Sequence, residues 1–135
     1  MAQQAALRTV LVVDDEPFIR ELLCRFMLDL GYQILEAPSG GSALEIAQQR
    51  QAPIDLLVTD VVMPGMDGFS LASRVTSCHP ETRVLFITGY AADRSDVAKT
   101  LRSTPHASLL KPFSSTVLRQ QLEHLLLMGE GVQPS

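Results

Sequence analysis

Tryptophan is missing altogether, aromatic residues make up only 5% of the chain, and there are two cysteines, Cys24 and Cys78. Two cysteines build no disulfide framework, and no cysteine–histidine cluster has zinc spacing. No apolar run approaches the roughly 18 residues that a membrane span requires. Residues 1–8 are small and polar and lack the apolar stretch of a secretory signal. Basic residues are few as well: 11 Lys plus Arg against 15 Asp plus Glu, a net charge of −4. Such a balance gains little from a phosphate backbone, so direct nucleic-acid binding is not expected. Repeats, low-complexity tracts and charge blocks are absent too. These absences leave a soluble chain in a reducing, cytoplasmic compartment, with no membrane contact. What is present suffices for one domain: 135 residues, 46% hydrophobic and 19% charged, enough to bury a core. The domain is expected over residues 8–127, with flexible ends at 1–7 and 128–135.

Thr9-Val10-Leu11-Val12-Val13 is a β-branched run that stops at Asp14-Asp15-Glu16-Pro17. It predicts a strand buried on both faces and then a helix with Pro17 in its first turn. Ile19, Leu22, Leu23, Phe26 and Leu30 recur at helical spacing, and Gly31 supplies a C-terminal cap. Residues 32–37 predict a second strand. Ser42-Ala43-Leu44-Glu45 has capping-box form and predicts a second helix running to about Arg50, leaving Gly40-Gly41 as a turn. Residues 54–59 predict a third strand ending in Asp60. A Met63-Pro64-Gly65 turn follows, then a helix from about Asp67 with Phe69, Ala72 and Val75 inward. Residues 83–87 predict a fourth strand ending in Thr88-Gly89. A weaker helix is predicted over 93–102, with Val97, Ala98 and Leu101 on its apolar side. A short strand over 107–110 ends in Lys111-Pro112. Ser114 or Ser115 caps a last helix carrying Val117, Leu118, Leu122, Leu125 and Leu126. Five strands alternating with five helices imply an α/β fold: a parallel sheet with helices on both faces and right-handed crossovers.

In such a sheet, ligands bind beyond the carboxyl ends of the strands. Those ends carry Asp14-Asp15, Asp60, Thr88 and Lys111, whereas the second strand ends in the chemically silent Ala37-Pro38. If the first and third strands are neighbours, three carboxylates, a hydroxyl and an ammonium meet at one edge. Clustered carboxylates repel, so either one stays protonated or a cation sits among them. Oxygen ligands without His or thiolate favour a hard cation such as Mg²⁺. A carboxylate beside a cation and an ammonium can attack a phosphoryl group and form an aspartyl-phosphate. The Thr88 hydroxyl would then hydrogen-bond the phosphoryl group.

The stretches Val12-Val13-Asp14-Asp15-Glu16, Thr59-Asp60-Val61-Val62-Met63-Pro64-Gly65-Met66-Asp67-Gly68, Thr88-Gly89 and Lys111-Pro112-Phe113 together resemble the receiver domain of two-component response regulators. The resemblance covers about residues 8–127. It implies a flavodoxin-like (βα)5 three-layer sandwich with strand order 2-1-3-4-5. Function follows the same resemblance: Mg²⁺-dependent transfer of a phosphoryl group from a kinase phosphohistidine to Asp60, changing the surface of the fourth helix, fifth strand and last helix. Asp15 would ligate Mg²⁺ directly, Asp14 would act through water, and the backbone carbonyl of Val62 would be a third protein ligand. Lys111 would pair with the phosphoryl group, Thr88 would be the switch hydroxyl, and the Lys111–Pro112 bond would be cis. The implied partners are a sensor histidine kinase or histidine phosphotransfer protein and a downstream protein; whether two copies form a homodimer is left open by the sequence. Thr88-Gly89-Tyr90 and the run around Asp60 look like receivers attached to hybrid sensor kinases. Only about eight residues follow the last helix, so no output domain is expected within the chain.

Two positions depart from the family pattern. Ser108 stands where receivers carry an aromatic residue, which leaves Tyr90 as the nearest candidate to shield the site. Val62, two after Asp60, offers no base to activate water, so self-dephosphorylation should be slow. The same residue weighs against an aspartyl-phosphate hydrolase, which needs a second Asp there. A flavin-nucleotide binder would need a Ser-, Thr- and Gly-rich first loop rather than Asp14-Asp15-Glu16. A partner-binding pseudo-receiver is disfavoured by the complete acidic set. Taken singly, Asp60 is a turn residue, Thr88 a β-branched strand residue and Lys111 a solvated charge; only their common edge argues for chemistry. His79, His106 and His124 have no acid–base partner nearby in sequence and read as loop or surface residues. Cys24 reads as a small core residue and Cys78 as exposed.

Overall fold

The structure, a computed structural model, describes residues 8–89 and 104–130, with side chains through 126. Thr9–Val13 forms β1, and every residue in it is buried, as a strand covered on both faces demands. Pro17–Asp29 forms α1, opened by Pro17 at a position where its missing N–H has no intrahelical partner to lose. A Schellman closure ends α1: the Gly31 N–H donates to the Leu28 carbonyl (2.9 Å) and the Tyr32 N–H to the Met27 carbonyl (3.1 Å). Gln33–Ala37 forms β2, Gly40–Gln49 α2, Leu56–Asp60 β3, Gly68–Cys78 α3, Arg83–Thr88 β4, His106–Leu110 β5 and Ser115–Glu130 α4. The helix expected over 93–102, and Tyr90 before it, lie outside the described residues, among which four helices are seen.

All four strand pairings are parallel, in the order β2-β1-β3-β4-β5. The expected flavodoxin-like sandwich is therefore the fold. On one face, Leu11 and Val13 of β1, Leu57 of β3 and Val84 and Phe86 of β4 pack with α2 and α3. On the other, Val10, Val12, Leu56, Val58, Leu85, Ile87 and Leu109 pack with α1 and α4 through Leu23, Met27, Leu118, Leu122 and Leu125. The strict alternation follows from the two-residue pleat.

The second helix starts earlier than its capping-box reading. Ser39 is the N-cap, its Oγ accepting the Ser42 N–H at 3.2 Å, so Gly40-Gly41 form the first turn of α2 rather than a separate turn. Poor helix propensity of glycine hid this start. The reason for glycine at 40 is packing, since a Cβ there would stand 2.9 Å from Met66 Cβ in the loop after β3. Other boundaries move by one or two residues. Asp60 and Thr88 belong to their strands, because the ladder continues through the pairs Asp60↔Ile87 and Thr88↔Leu110. Ser114 caps α4, its Oγ accepting the Val117 N–H at 3.1 Å.

Candidate functional site

Strand phase assembles the site. Val10 and Val12 face the α1/α4 layer, and Asp14 is the next residue of that phase; Leu56 and Val58 lead likewise to Asp60, and Leu109 to Lys111. Each chain thus leaves its strand with a polar residue where the preceding ones were apolar, on the same side of the sheet. Asp14 is fully buried and Asp60 is 6% exposed, whereas Asp15, one residue out of phase, is exposed. One carboxylate oxygen from each of the three lies within 4.8 Å of the others.

Lys111 supplies the counter-charge. Its Nζ donates to Asp60 Oδ2 at 3.2 Å and stands 3.7 Å from Asp14 Oδ2. The Lys111 backbone is anchored too, its N–H donating to the Thr88 carbonyl at 2.7 Å. The second oxygen of Asp60 accepts the Val62 N–H at 3.3 Å. Asp14 Oδ1 accepts the Glu16 N–H at 2.9 Å, but Asp14 Oδ2 is buried without a hydrogen-bond donor. Burial raises the Asp14 pKa above the ordinary carboxylate value; the Glu16 hydrogen bond and Lys111 counter this, while Asp60 and Asp15 add to it. For Lys111, burial pulls the ammonium down, yet the charges of Asp14 and Asp60 outweigh it and hold its pKa above normal.

A buried carboxylate oxygen without a hydrogen-bond donor, beside two further carboxylates and one lysine, leaves negative charge that a second cation would offset. Three oxygen donors, with no histidine or thiolate in the cluster, suit a hard divalent ion such as Mg²⁺. The residues present therefore fit the metal that the strand-end motifs imply. Thr88 is buried at the end of β4, one residue beyond Ile87, the register partner of Asp60. Val62 lies just outside Asp60 and is 54% exposed. The Lys111–Pro112 peptide is cis, as the family resemblance implied. Ser108 is half-buried in β5, in register with the fully buried Phe86.

Three contributors escaped the sequence reading. Gly68 opens α3 against the main chain of Asp60 and Val61: its N–H donates to the Val61 carbonyl at 2.8 Å, and a Cβ would collide with the Asp60 carbonyl. Gly40 gives the same loop its second backing, at Met66. Arg20, which reads as an ordinary charged helix residue, donates from Nη1 to the Asp14 carbonyl at 2.7 Å and from Nε to Glu36 Oε1 at 3.2 Å. No residue pattern signals this contact, since the partner is a main-chain carbonyl. The histidines take no part in the acidic cluster: His79 Nε2 pairs with the Ala47 carbonyl (2.8 Å) and His106 Nδ1 with the Thr104 carbonyl (2.9 Å). His124 is exposed on α4. Cys24 packs half-buried against the α1/α4 core and Cys78 is exposed; both are free thiols.

Comparison with known proteins gives the family and the fold. The chain is 38% identical to the sensor kinase CckA of Brucella abortus (strain 2308) over 120 residues, 85% of this chain and 12% of that protein. It is 34% identical to the response regulator receiver protein CpdR of the same strain, over 90% of this chain and 98% of CpdR. The solved structure of the chemotaxis protein CheY4 of Vibrio cholerae superposes with a TM-score of 0.77 at 31% identity, covering 89% of this chain and 99% of that one. Residues 10–123 match the family described as the response regulator receiver domain. With that match spanning most of the chain, and with acidic, hydroxyl and lysine residues gathered at one sheet edge, the protein belongs to the receiver domain family of two-component signal transduction.

Proposed function

We propose that residues 8–127 act as the receiver unit and that Asp60 accepts a phosphoryl group from the phosphohistidine of a sensor histidine kinase or histidine phosphotransfer protein. One observation carries the reading: Asp60 is nearly buried, held by Lys111 on one oxygen, beside an Asp14 oxygen that lacks a donor. The step is a displacement at phosphorus. A carboxylate oxygen of Asp60 forms the new P–O bond while the P–N bond breaks, and the electron pair leaves with the imidazole nitrogen. Asp14, Asp15, Asp60 and the Val62 carbonyl would hold Mg²⁺, which supplies positive charge beside the transferring oxygens. Lys111, whose Nζ reaches Asp60 Oδ2, would neutralise a phosphoryl oxygen. Thr88 donates its hydroxyl to the acyl phosphate once formed.

The exposed, apolar Val62 side chain activates no water, so the acyl phosphate should persist and the chain should not turn over as a hydrolase. The output is a surface change near residues 93–102, β5 and α4, read by a downstream protein or a second copy. Two free thiols fit a reducing, cytoplasmic setting. Intact mass after incubation with Mg²⁺ and acetyl phosphate tests the reading. One added phosphoryl group is expected, lost in Asp60→Asn and in a metal-free sample. No addition, where a known receiver is modified in parallel, would make the chain a partner-binding module instead.

A further inference from the structure

We propose that Arg20 is a positioning residue for the cation site, an inference that rests on the receiver reading above. The two metal-facing residues of the first loop differ in how they are held. Asp14 is fixed by burial and by its carboxylate bond to the Glu16 N–H. Asp15 is exposed, so no packing holds its side chain, and the peptide that precedes it places the Cα–Cβ bond from which its carboxylate reaches the cluster. That peptide's carbonyl belongs to Asp14, and Arg20 Nη1 donates to it at 2.7 Å. On the other side of the residue, the Asp14 N–H reaches the Ala37 carbonyl at a long 3.4 Å, the last rung beside β2. The guanidinium is itself aimed by a second bond, Nε to Glu36 Oε1 at 3.2 Å, and the Arg20 side chain is only 19% exposed. A rigid fork with two donors fixes a plane where a lysine would fix only a point. Arg20 therefore clamps the Asp14–Asp15 peptide against edge strand β2 and orients Asp15 toward the carboxylates of Asp14 and Asp60.

Electrostatics alone predicts the opposite effect, which makes the test sharp. Arg20 is a cation near a cation site, so by charge its removal should tighten Mg²⁺ binding. By positioning, its removal should weaken it. The experiment is titration of the full chain with Mn²⁺ and Mg²⁺ by calorimetry, for wild type, Arg20→Met, Arg20→Lys and Glu36→Ala. Melting curves in EDTA run alongside. About five- to tenfold weaker binding is expected for Arg20→Met, and nearly as much for Arg20→Lys, which keeps the charge but loses the fork. Glu36→Ala should weaken binding less, and apo melting temperatures should change little. Tighter or unchanged binding in Arg20→Met would overturn the proposal, as would full rescue by Arg20→Lys. If Arg20→Met does not fold, Arg20→Lys and Glu36→Ala decide by the same criteria. Failure of the receiver reading would look different: wild type itself would bind neither ion, and acetyl phosphate would add nothing to Asp60.

Discussion

Asp14 is a carboxylate with one oxygen satisfied and the other not, and its raised pKa records the cost. Without a cation, the sign of its contribution is unusual for an acid. The folded value lies above the ordinary carboxylate value, so Asp14 favours the fold at pH below that ordinary value and works against it as pH rises through the folded value. Asp14→Asn should therefore raise the melting temperature in EDTA near neutral pH by about 2–4 °C, the equivalent of roughly 1 kcal/mol. The same variant should lose most of the rise that Mg²⁺ gives wild type. A lower melting temperature in EDTA would contradict this account of Asp14. The two thiols separate just as clearly. Burial, and then the charge of Glu36, push the Cys24 thiol up to about 11, while Cys78 is exposed. At pH 8 the thiolate fraction of Cys24 is on the order of one in a thousand, so iodoacetamide should label Cys78 first and Cys24 only slowly by peptide mass mapping. The acidic residues were legible in sequence because each ends a buried run, and the pleat puts Asp14, Asp60 and Lys111 in one phase. Arg20 was not legible, because its partner is a main-chain carbonyl that no residue pattern displays.

Helix starts decide how the loop after β3 is held. α3 opens at Asp67, whose Oδ1 accepts the Ser70 N–H at 2.8 Å, and Gly68 then lies directly on the Asp60 main chain. Gly68→Ala must push α3 away from the strand end that carries Asp60. It is expected to destabilise by roughly 1–3 kcal/mol, as overpacking does, and to slow acetyl-phosphate labelling, both measurable on one sample. Ser39→Ala removes the α2 cap and should cost about 1 kcal/mol by urea denaturation. Labelling should be affected far less, since α2 carries none of the acidic, hydroxyl or lysine residues of the site and only backs its loop through Gly40. The strands and the other described helices were readable from apolar periodicity and punctuation. The start of α2 was not, because two glycines resemble a turn until Met66 is seen against Gly40. A close approach between distant segments leaves no periodic trace.

The unliganded protein as a body should answer to metal by mass action. A ligand that binds only the folded state stabilises by about 2.7 kcal/mol at a hundred times its dissociation constant. Saturating Mg²⁺ should thus raise the melting temperature by several degrees, and EDTA should reverse it. No such shift would argue against a resident cation. Strand order was not readable from periodicity; it came from the family resemblance and is now seen in the pairings. Among the described residues the sheet also divides the interior, since the clusters on its two faces share no side chain. Leu57 and Val58 are bonded neighbours, yet they belong to separate compartments. Truncating both to alanine should cost the sum of the single losses to within about 0.5 kcal/mol, while Leu57 paired with Leu71, on one side of the partition, should not be additive. Adjacent letters of the chain are in this respect energetic strangers, and each compartment is free to accumulate substitutions at its own pace.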